Sequence, residues 1–195
     1  MIGDNFMWFP PFAMKIEGET SDQVFAKKKA FEITSFTFEM EKDSAVSGSS
    51  PEDVGKGAGK GKFNTFTFDK LIDSASVKLA QACARGTRIP TIMLAVRKAS
   101  AAGGALVYLQ YCCRDNHITK ITWNSGKGDG ATETITFTCK ALGMQYIAQT
   151  AYGEGKVANK ANQFTWNTVT TEESLIIVGL PPLPSSDPYV QPHPE

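Results

Sequence analysis

The stretch KFNTFTFDKLIDSASVKLAQACARGTRIPTIMLAVRKA, residues Lys62–Ala99, decides the fold of this chain. It is typical of a strand, one short helix and a second strand, in a chain that otherwise alternates like β-structure. Phe66 and Phe68 share one face of the first strand, and Pro90 places the start of the second strand at an edge or entry position. The apolar residues that share one face of that second strand are Ile92, Leu94 and Val96.

The helix prediction depends on signals at its two ends. Ser74 and Ser76 are both acceptable N-caps, while Arg85 and Gly86 suit the last turn and a left-handed C-cap. An isolated helix shorter than about 12–15 residues is marginal in water, so this helix of about 11 residues must pack against a sheet. The apolar residues that recur at helical spacing are Leu79, Ala82 and Cys83.

Other segments alternate with the period of a strand. The threonines of Thr132–Thr138 alternate with Glu133, Ile135 and Phe137, which predicts a half-buried antiparallel strand with its threonines on the wetter face. These segments together predict a mainly β fold, a compact antiparallel β-barrel of two packed sheets with one short flanking α-helix. The further predicted strands are Ala13–Ile16 before Gly18, Phe31–Met40, Ala105–Cys113, His117–Trp123, Leu142–Tyr146 and Gln163–Val169.

Composition sets the limits on class and organisation. The 195 residues suit one domain with tails, predicted as an N-terminal extension (1–12), a β-barrel domain (13–170) and a Pro-rich tail (171–195). The 20 basic and 20 acidic residues balance, so no overall field attracts nucleic acid or an anionic membrane. No apolar run reaches the length of a membrane span, and Pro10–Pro11 interrupt an N-terminus that also lacks the basic start of a signal peptide.

Residues 41–61 change abruptly to Ser, Gly, Lys and Asp without periodicity, which predicts a loop of about 20 residues. Its GKGAGKGK run lacks the spacing of a phosphate-binding loop and precedes a strand rather than a helix. Lys56, Lys60 and Lys62 form a small basic cluster in this loop. Composition alone leaves two interpretations open, a solvated flexible loop or a subunit-contact loop.

Catalytic and metal-binding signals are weak. The four cysteines show no CxxC spacing, and the adjacent Cys112 and Cys113 point to opposite faces of a predicted strand, so no zinc site or other cofactor is expected. Of the two histidines, His193 lies in the tail and His117 follows an apparent turn. A cysteine-based enzyme using Cys112 or Cys113 with His117 is the third-ranked hypothesis, and the expectation is a protein without catalytic residues.

The order and spacing of these motifs resemble the haemolysin-coregulated protein (Hcp) family, the tube proteins of bacterial type VI secretion systems. The resemblance covers roughly residues 13–169, with Val77 in place of a typical proline after the helix-capping serine. Downstream, Glu133–Lys140 and Trp166 fit the family pattern. Upstream, the matching residues are Lys15, Ile16, Gly18, Glu19 and Thr20. In the central motif they are Phe66, Phe68, Lys70, Asp73, Ser76, Leu79, Ala82, Cys83, Gly86, Arg97 and Lys98.

The resemblance implies a non-enzymatic subunit without cofactor that forms a homo-hexameric ring. Such rings stack into a tube inside a contractile sheath, carry a spike and hold effectors in their lumen. It also implies a protein made in the bacterial cytoplasm and secreted without a cleaved signal peptide. An Hcp-like secreted carrier that does not build the main tube is the alternative. In the family the long loop contacts neighbouring subunits, so the resemblance assigns assembly contacts to Asp43, Asp53, Lys56, Lys60 and Lys62.

Overall fold

The computed structural model of the chain describes residues 4–11, 13–44, 58–99, 105–125, 130–147 and 163–169. In this part of the chain, strands form most of the regular structure, with one α-helix and one short 3₁₀ helix. The strands before the α-helix are β1 (Asn5–Trp8), β2 (Phe31–Glu32), β3 (Ser35–Ser44) and β4 (Ala58–Leu71), with the 3₁₀ helix Ala26–Lys28 between β1 and β2. The helix α1 (Ser74–Arg85) is followed by β5 (Ile89–Ala99), β6 (Ala105–Ser125), β7 (Ala131–Thr138), β8 (Ala141–Tyr146) and β9 (Gln163–Asn167).

Strand β6 belongs to two antiparallel sheets. Its first half pairs with β5 and β8, and its second half pairs with β7. The sequence predicts two strands separated by a turn here, and this is wrong: Asp115 adopts a left-handed conformation (φ 54°) that bends the strand without reversing it. Aspartate is among the few non-glycine residues that visit this region routinely. The buried Asn116 amide secures the bend by donating to the carbonyls of Ile89 (3.1 Å) and Cys113 (3.0 Å).

A second crossing between the sheets closes the barrel. The segment predicted as one strand, Phe31–Met40, is interrupted: β2 pairs with β1 in one sheet, and β3 pairs with β4 in the other. Thr34 lies at the crossing and its N–H donates to the carbonyl of Asp69 at 2.8 Å. The path β2-β1-β5-β6-β7-β4-β3 therefore returns to its starting segment. This confirms the predicted fold class, a mainly β, antiparallel barrel of two packed sheets with one flanking helix.

The N-terminal residues are part of the barrel. Asn5–Trp8 form a strand against β5, so the prediction that residues 1–12 are an extension is wrong for this stretch. Met7 and Phe9 enter the main core, and Phe6 and Trp8 enter a second cluster on the other face. This run is apolar on both faces, so it lacks the alternation that marks a half-buried strand.

The predicted strand Ala13–Ile16 is also wrong, because these residues are not in a strand. The chain nevertheless runs beside residues 29–31, with the Gly18 N–H donating to the Lys29 carbonyl at 2.9 Å. A Cβ on Gly18 would lie 2.6 Å from the Ala30 carbonyl oxygen, so this close approach requires glycine. The predicted Pro-rich tail, residues 171–195, lies outside the described residues.

Helix α1 packs on the barrel as predicted, with Leu79 completely buried in the main core. Its N-cap is Asp73 rather than Ser74 or Ser76, because the Asp73 carboxylate accepts from the Ala75 N–H at 2.9 Å while the Ser76 hydroxyl accepts from the Asp73 N–H at 3.0 Å. Ser76 therefore occupies the third helical position (N3) and completes a capping box with Asp73. Gly86 ends the helix in the left-handed conformation (φ 61°), as predicted.

Candidate functional site: the β3–β4 arm and its buried anchor

Strands β3 and β4 extend beyond the sheet that they help to build. The β4–β7 ladder covers Phe66–Leu71, whereas the β3–β4 ladder continues outward to the pair of Ser44 and Ala58. Residues 40–44 and 58–64 thus form a two-stranded projection, which we call the arm. A two-stranded ribbon alone is marginally stable in water, so its base must be held firmly and its exposed edges are available for pairing.

The arm contains part of the predicted contact loop. Asp43 lies in β3, and Lys60 and Lys62 lie in β4, with exposed Lys62 directly opposite Glu41. The predicted loop 41–61 is therefore wrong at both ends, where residues 41–44 and 58–61 form strands. These strands are paired through their backbones and carry Ser, Gly and Lys. Their sequence therefore has no hydrophobic periodicity from which the strands could be predicted. The predicted contact residues Asp53 and Lys56 lie outside the described part of the chain.

Aromatic packing fixes the base of the arm. Phe38 lies 5.7 Å from Phe63 and 5.4 Å from Phe66, measured between ring centroids. Phe66 in turn stacks on Phe137 of β7 at 4.9 Å, inside the main core. Met40, the next large apolar residue along β3, is 56% exposed. The apolar packing of the core therefore continues into the arm and ends at an exposed side chain.

A buried cation anchors the other end of β4. The Lys70 ammonium donates to the Glu133 carboxylate at 3.0 Å and to the Asp73 carboxylate at 2.7 Å, and the side chains of Lys70 and Glu133 are completely buried. It also donates to the Leu71 carbonyl at 2.7 Å and lies 3.2 Å from the Ser76 hydroxyl. A buried ion pair tolerates no loss of one partner, because the remaining charge is left without compensation.

Glu133 connects this cation to two more elements. Its Oε1 accepts from the Ser76 hydroxyl at 2.6 Å, and its Oε2 accepts from the Trp123 indole N–H at 3.0 Å. The network therefore ties β4, the start of α1, β6 and β7 together. We call the side chains of Lys70, Asp73, Ser76, Trp123 and Glu133 the anchor.

The sequence carries a signal for the anchor. Lys70 follows Phe66 and Phe68 at strand spacing, and Glu133 precedes Ile135 and Phe137 in the same way. One charged residue therefore stands on the core face of each strand, with opposite signs. The two residues are cross-strand partners in the β4–β7 ladder. Buried charges require such a partner, which makes the pair predictable once the two strands are placed side by side.

The positions of Cys112, Cys113 and His117 do not favour cysteine-based catalysis. Cys112 packs in the second cluster and Cys113 in the main core, on opposite faces of β6. Burial raises the pKa of Cys112, and a hydrogen bond to the Cys139 side chain together with burial raises the pKa of Cys113 well above its usual value. Both thiols are protonated at neutral pH and are poor nucleophiles. His117 lies beyond the bend, opposite Thr138.

Comparisons with solved structures support the fold. A protein described as "a type six secretion system protein" aligns with a TM-score of 0.75 and 22% identity, over 88% of this chain and 99% of its own. Hcp1 from Salmonella typhimurium aligns with a TM-score of 0.66 and 22% identity, over 89% of this chain and 100% of its own. A type VI secretion system effector from Yersinia pestis aligns with a TM-score of 0.61 and 20% identity, over 84% of this chain and 99% of its own. Comparison with curated protein sequences gives no match.

The family comparison is more specific than the structural ones. No helix within the described residues is long and apolar enough to cross a membrane. Residues 6–146, well over half of the chain, match the family model described as "Type VI secretion system effector, Hcp". The matched range includes β1 from Phe6 onward, the arm and every residue of the anchor. The chain belongs to the Hcp family of type VI secretion system effectors.

Proposed function

We propose that this protein is a ring-forming subunit of a type VI secretion inner tube. Copies assemble into a homo-hexameric ring, and the rings stack into a conduit that is expelled when a surrounding sheath contracts. The family match over residues 6–146 is the observation that carries this proposal. The function is structural rather than enzymatic, in keeping with the protonated, buried thiols of Cys112 and Cys113.

The arm supports the assembly part of the proposal. A ring requires each copy to present one surface to the next and to receive a different surface from the previous one. The arm projects beyond β7 and exposes strand edges and Met40, so it can reach a neighbouring copy. The anchor and the aromatic base hold β4 at both ends of its core segment. The contact therefore orders few additional groups, which lowers the entropy lost on association.

The remaining partners follow from the family. We propose that the stacked rings contact a spike protein at one end and the contractile sheath along their length, and that effector proteins travel in the lumen. The protein is made in the bacterial cytoplasm and leaves with the apparatus. A secreted Hcp-like carrier that forms no tube is the alternative function.

Charge reversal in the contact segment tests the role of the arm. The variant Lys56→Glu, Lys60→Glu and Lys62→Glu should weaken ring stacking, because it reverses three charges at the proposed contact and charge complementarity across an interface favours association. A matched control, Lys78→Glu, Lys120→Glu and Lys140→Glu, makes the same change in net charge at exposed positions elsewhere. Sedimentation velocity and electron microscopy report the assembly state. Unchanged assembly of the first variant, or equal loss in both, would remove the arm from the proposal.

A further inference from the structure

A cleft on the face of the barrel beside β1 combines an apolar floor with a basic rim. Its volume is about 680 Å³, and we call it the basic cleft. Five buried apolar side chains line it and form its floor: Trp8, Phe9, Ile16, Met93 and Cys112. Five cationic residues surround it: Lys15, Lys27, Lys28, Lys29 and Arg114. Glu17 is the one carboxylate among the lining residues.

Lys28 is a cation held in place by aromatic rings. Its ammonium lies 4.4 Å from the centroid of the Trp8 ring and 5.6 Å from that of Phe25. Burial lowers the pKa of Lys28, because partial removal from water disfavours the charged ammonium. Among the described residues, no carboxylate forms an ion pair with this ammonium. A bound anion would supply the missing partner.

Arg114 is a second cation fixed at the cleft. Its guanidinium donates to the Thr91 hydroxyl at 2.7 Å, and Thr91 is itself only 8% exposed. A guanidinium carries five N–H donors in a planar fork that suits carboxylate and phosphate groups. Arg114 also lowers the pKa of the neighbouring Cys112 thiol, against the larger effect of burial. The charge of Arg114 thus acts on the cleft floor.

The rim is built on constrained backbone. The left-handed Lys29 (φ 55°) ends the 3₁₀ helix with its N–H donating to the Ala26 carbonyl at 3.0 Å. The close approach of Gly18 to Ala30 then holds the segment carrying Lys15 beside the segment carrying Lys28. The cations are therefore gathered before any ligand arrives, which reduces the ordering required on binding.

We propose that the basic cleft binds a small amphipathic anion, with a carboxylate or phosphate group on an acyl or aromatic body. The volume lies within the range of about 300–1,000 Å³ typical of small-molecule sites, and the combination of an apolar floor with a few polar groups is typical of them. The anionic group pairs with Lys28 and Arg114, and the apolar body covers Met93 and Phe9.

Isothermal titration with decanoate tests the proposal, with decyl phosphate as the second anion and 1-decanol as the neutral analogue. Decanoate or decyl phosphate should bind one per chain and about tenfold or more tighter than decanol, and their order decides between the two headgroups. The double variant Lys28→Gln and Arg114→Gln should weaken anion binding about tenfold or more. The control Lys120→Gln, at an exposed position on β6, should leave it unchanged. Trp8 fluorescence should respond to the anion, because the ammonium lies over its ring.

Three results would overturn the proposal. The first is equal affinity for decanoate, decyl phosphate and decanol. The second is anion binding that survives both the double variant and the rim variant Lys15→Gln with Lys29→Gln, whose exposed side chains can change without unfolding the chain. The third is loss of oligomers in these variants without a change in anion affinity, which would make the cleft an interface between copies.

Discussion

Replacement of Lys70 by methionine is the sharpest test of the anchor. The ammonium contacts the carboxylates of Glu133 and Asp73 at 3.0 and 2.7 Å, and the Glu133 side chain is completely buried. Methionine fills a similar volume but leaves the Glu133 charge inside the barrel without a cation. Removing one partner of a buried ion pair typically destabilises a protein by about 3–5 kcal/mol. We expect Lys70→Met to lower the free energy of unfolding by this amount.

A second substitution distinguishes the effect of the unpaired Glu133 charge from the effect of lost packing. Glu133→Gln removes the charge while its amide oxygen can still accept from Ser76 or Trp123, so the double variant with Lys70→Met should be more stable than Lys70→Met alone by about 2 kcal/mol. The control Lys78→Met lies on the exposed face of α1 and should stay within about 0.5 kcal/mol of the parent.

Urea denaturation followed by far-UV circular dichroism measures these differences, with unchanged slopes required for the comparison. A loss below about 1 kcal/mol in Lys70→Met would contradict this prediction, since the Glu133 charge would then not be buried without a partner. Additivity of the two substitutions in the double variant would equally contradict it, since residues in one network must show coupling.

Three further perturbations follow from the structure. Gly18→Ala places a Cβ 2.6 Å from a carbonyl oxygen of the adjacent segment and should destabilise the chain by about 1–3 kcal/mol in the same urea assay, so an unchanged midpoint would contradict the close approach. Burial opposes ionisation of Asp22, but hydrogen bonds from the Phe25 N–H and Arg97 dominate and hold its pKa below 3.8. The stabilisation that ionised Asp22 contributes is therefore complete above pH 3.8 and is lost as the pH falls through the lowered pKa. Asp22→Asn should therefore make the free energy of unfolding fall less steeply below that pH. An equally steep fall in the variant would contradict the interaction of Asp22 with Arg97. Mass spectrometry after brief iodoacetamide treatment of the native protein should find Cys112 and Cys113 unmodified while the unfolded chain is fully labelled, and rapid native labelling would contradict their burial.

Sequence patterns predicted the parts of the fold that alternate or carry caps. The threonine-rich strand β7 buries Glu133, Ile135 and Phe137 as predicted, because a strand with one wet face must alternate. Helix α1 ends at Gly86 because a left-handed C-cap favours glycine. The residues that form each of these signals lie close together in the sequence, so the signals can be recognised without knowledge of the tertiary structure.

The features that escaped prediction depend on distant partners. The bend at Asp115 depends on the backbone conformation of a single residue, which leaves no pattern in the sequence. The crossing at Thr34 depends on the pairing of β2 with β1 and of β3 with β4, and these partners are distant in the sequence. The arm strands pair through backbone groups and carry no apolar period. The basic cleft gathers residues from strands β1, β5 and β6, from the segment after β1 and from the 3₁₀ helix with its C-cap, so cations such as Lys28 and Arg114 look like ordinary surface charges in the sequence.

We propose above that copies of this chain build rings that stack into a tube. Negative-stain electron microscopy of the purified protein at high concentration tests it most directly. We expect six-fold rings or stacked tubes, in which case the next question is the lumen and its cargo. Particles of monomer size alone would contradict the claim and would favour the carrier alternative.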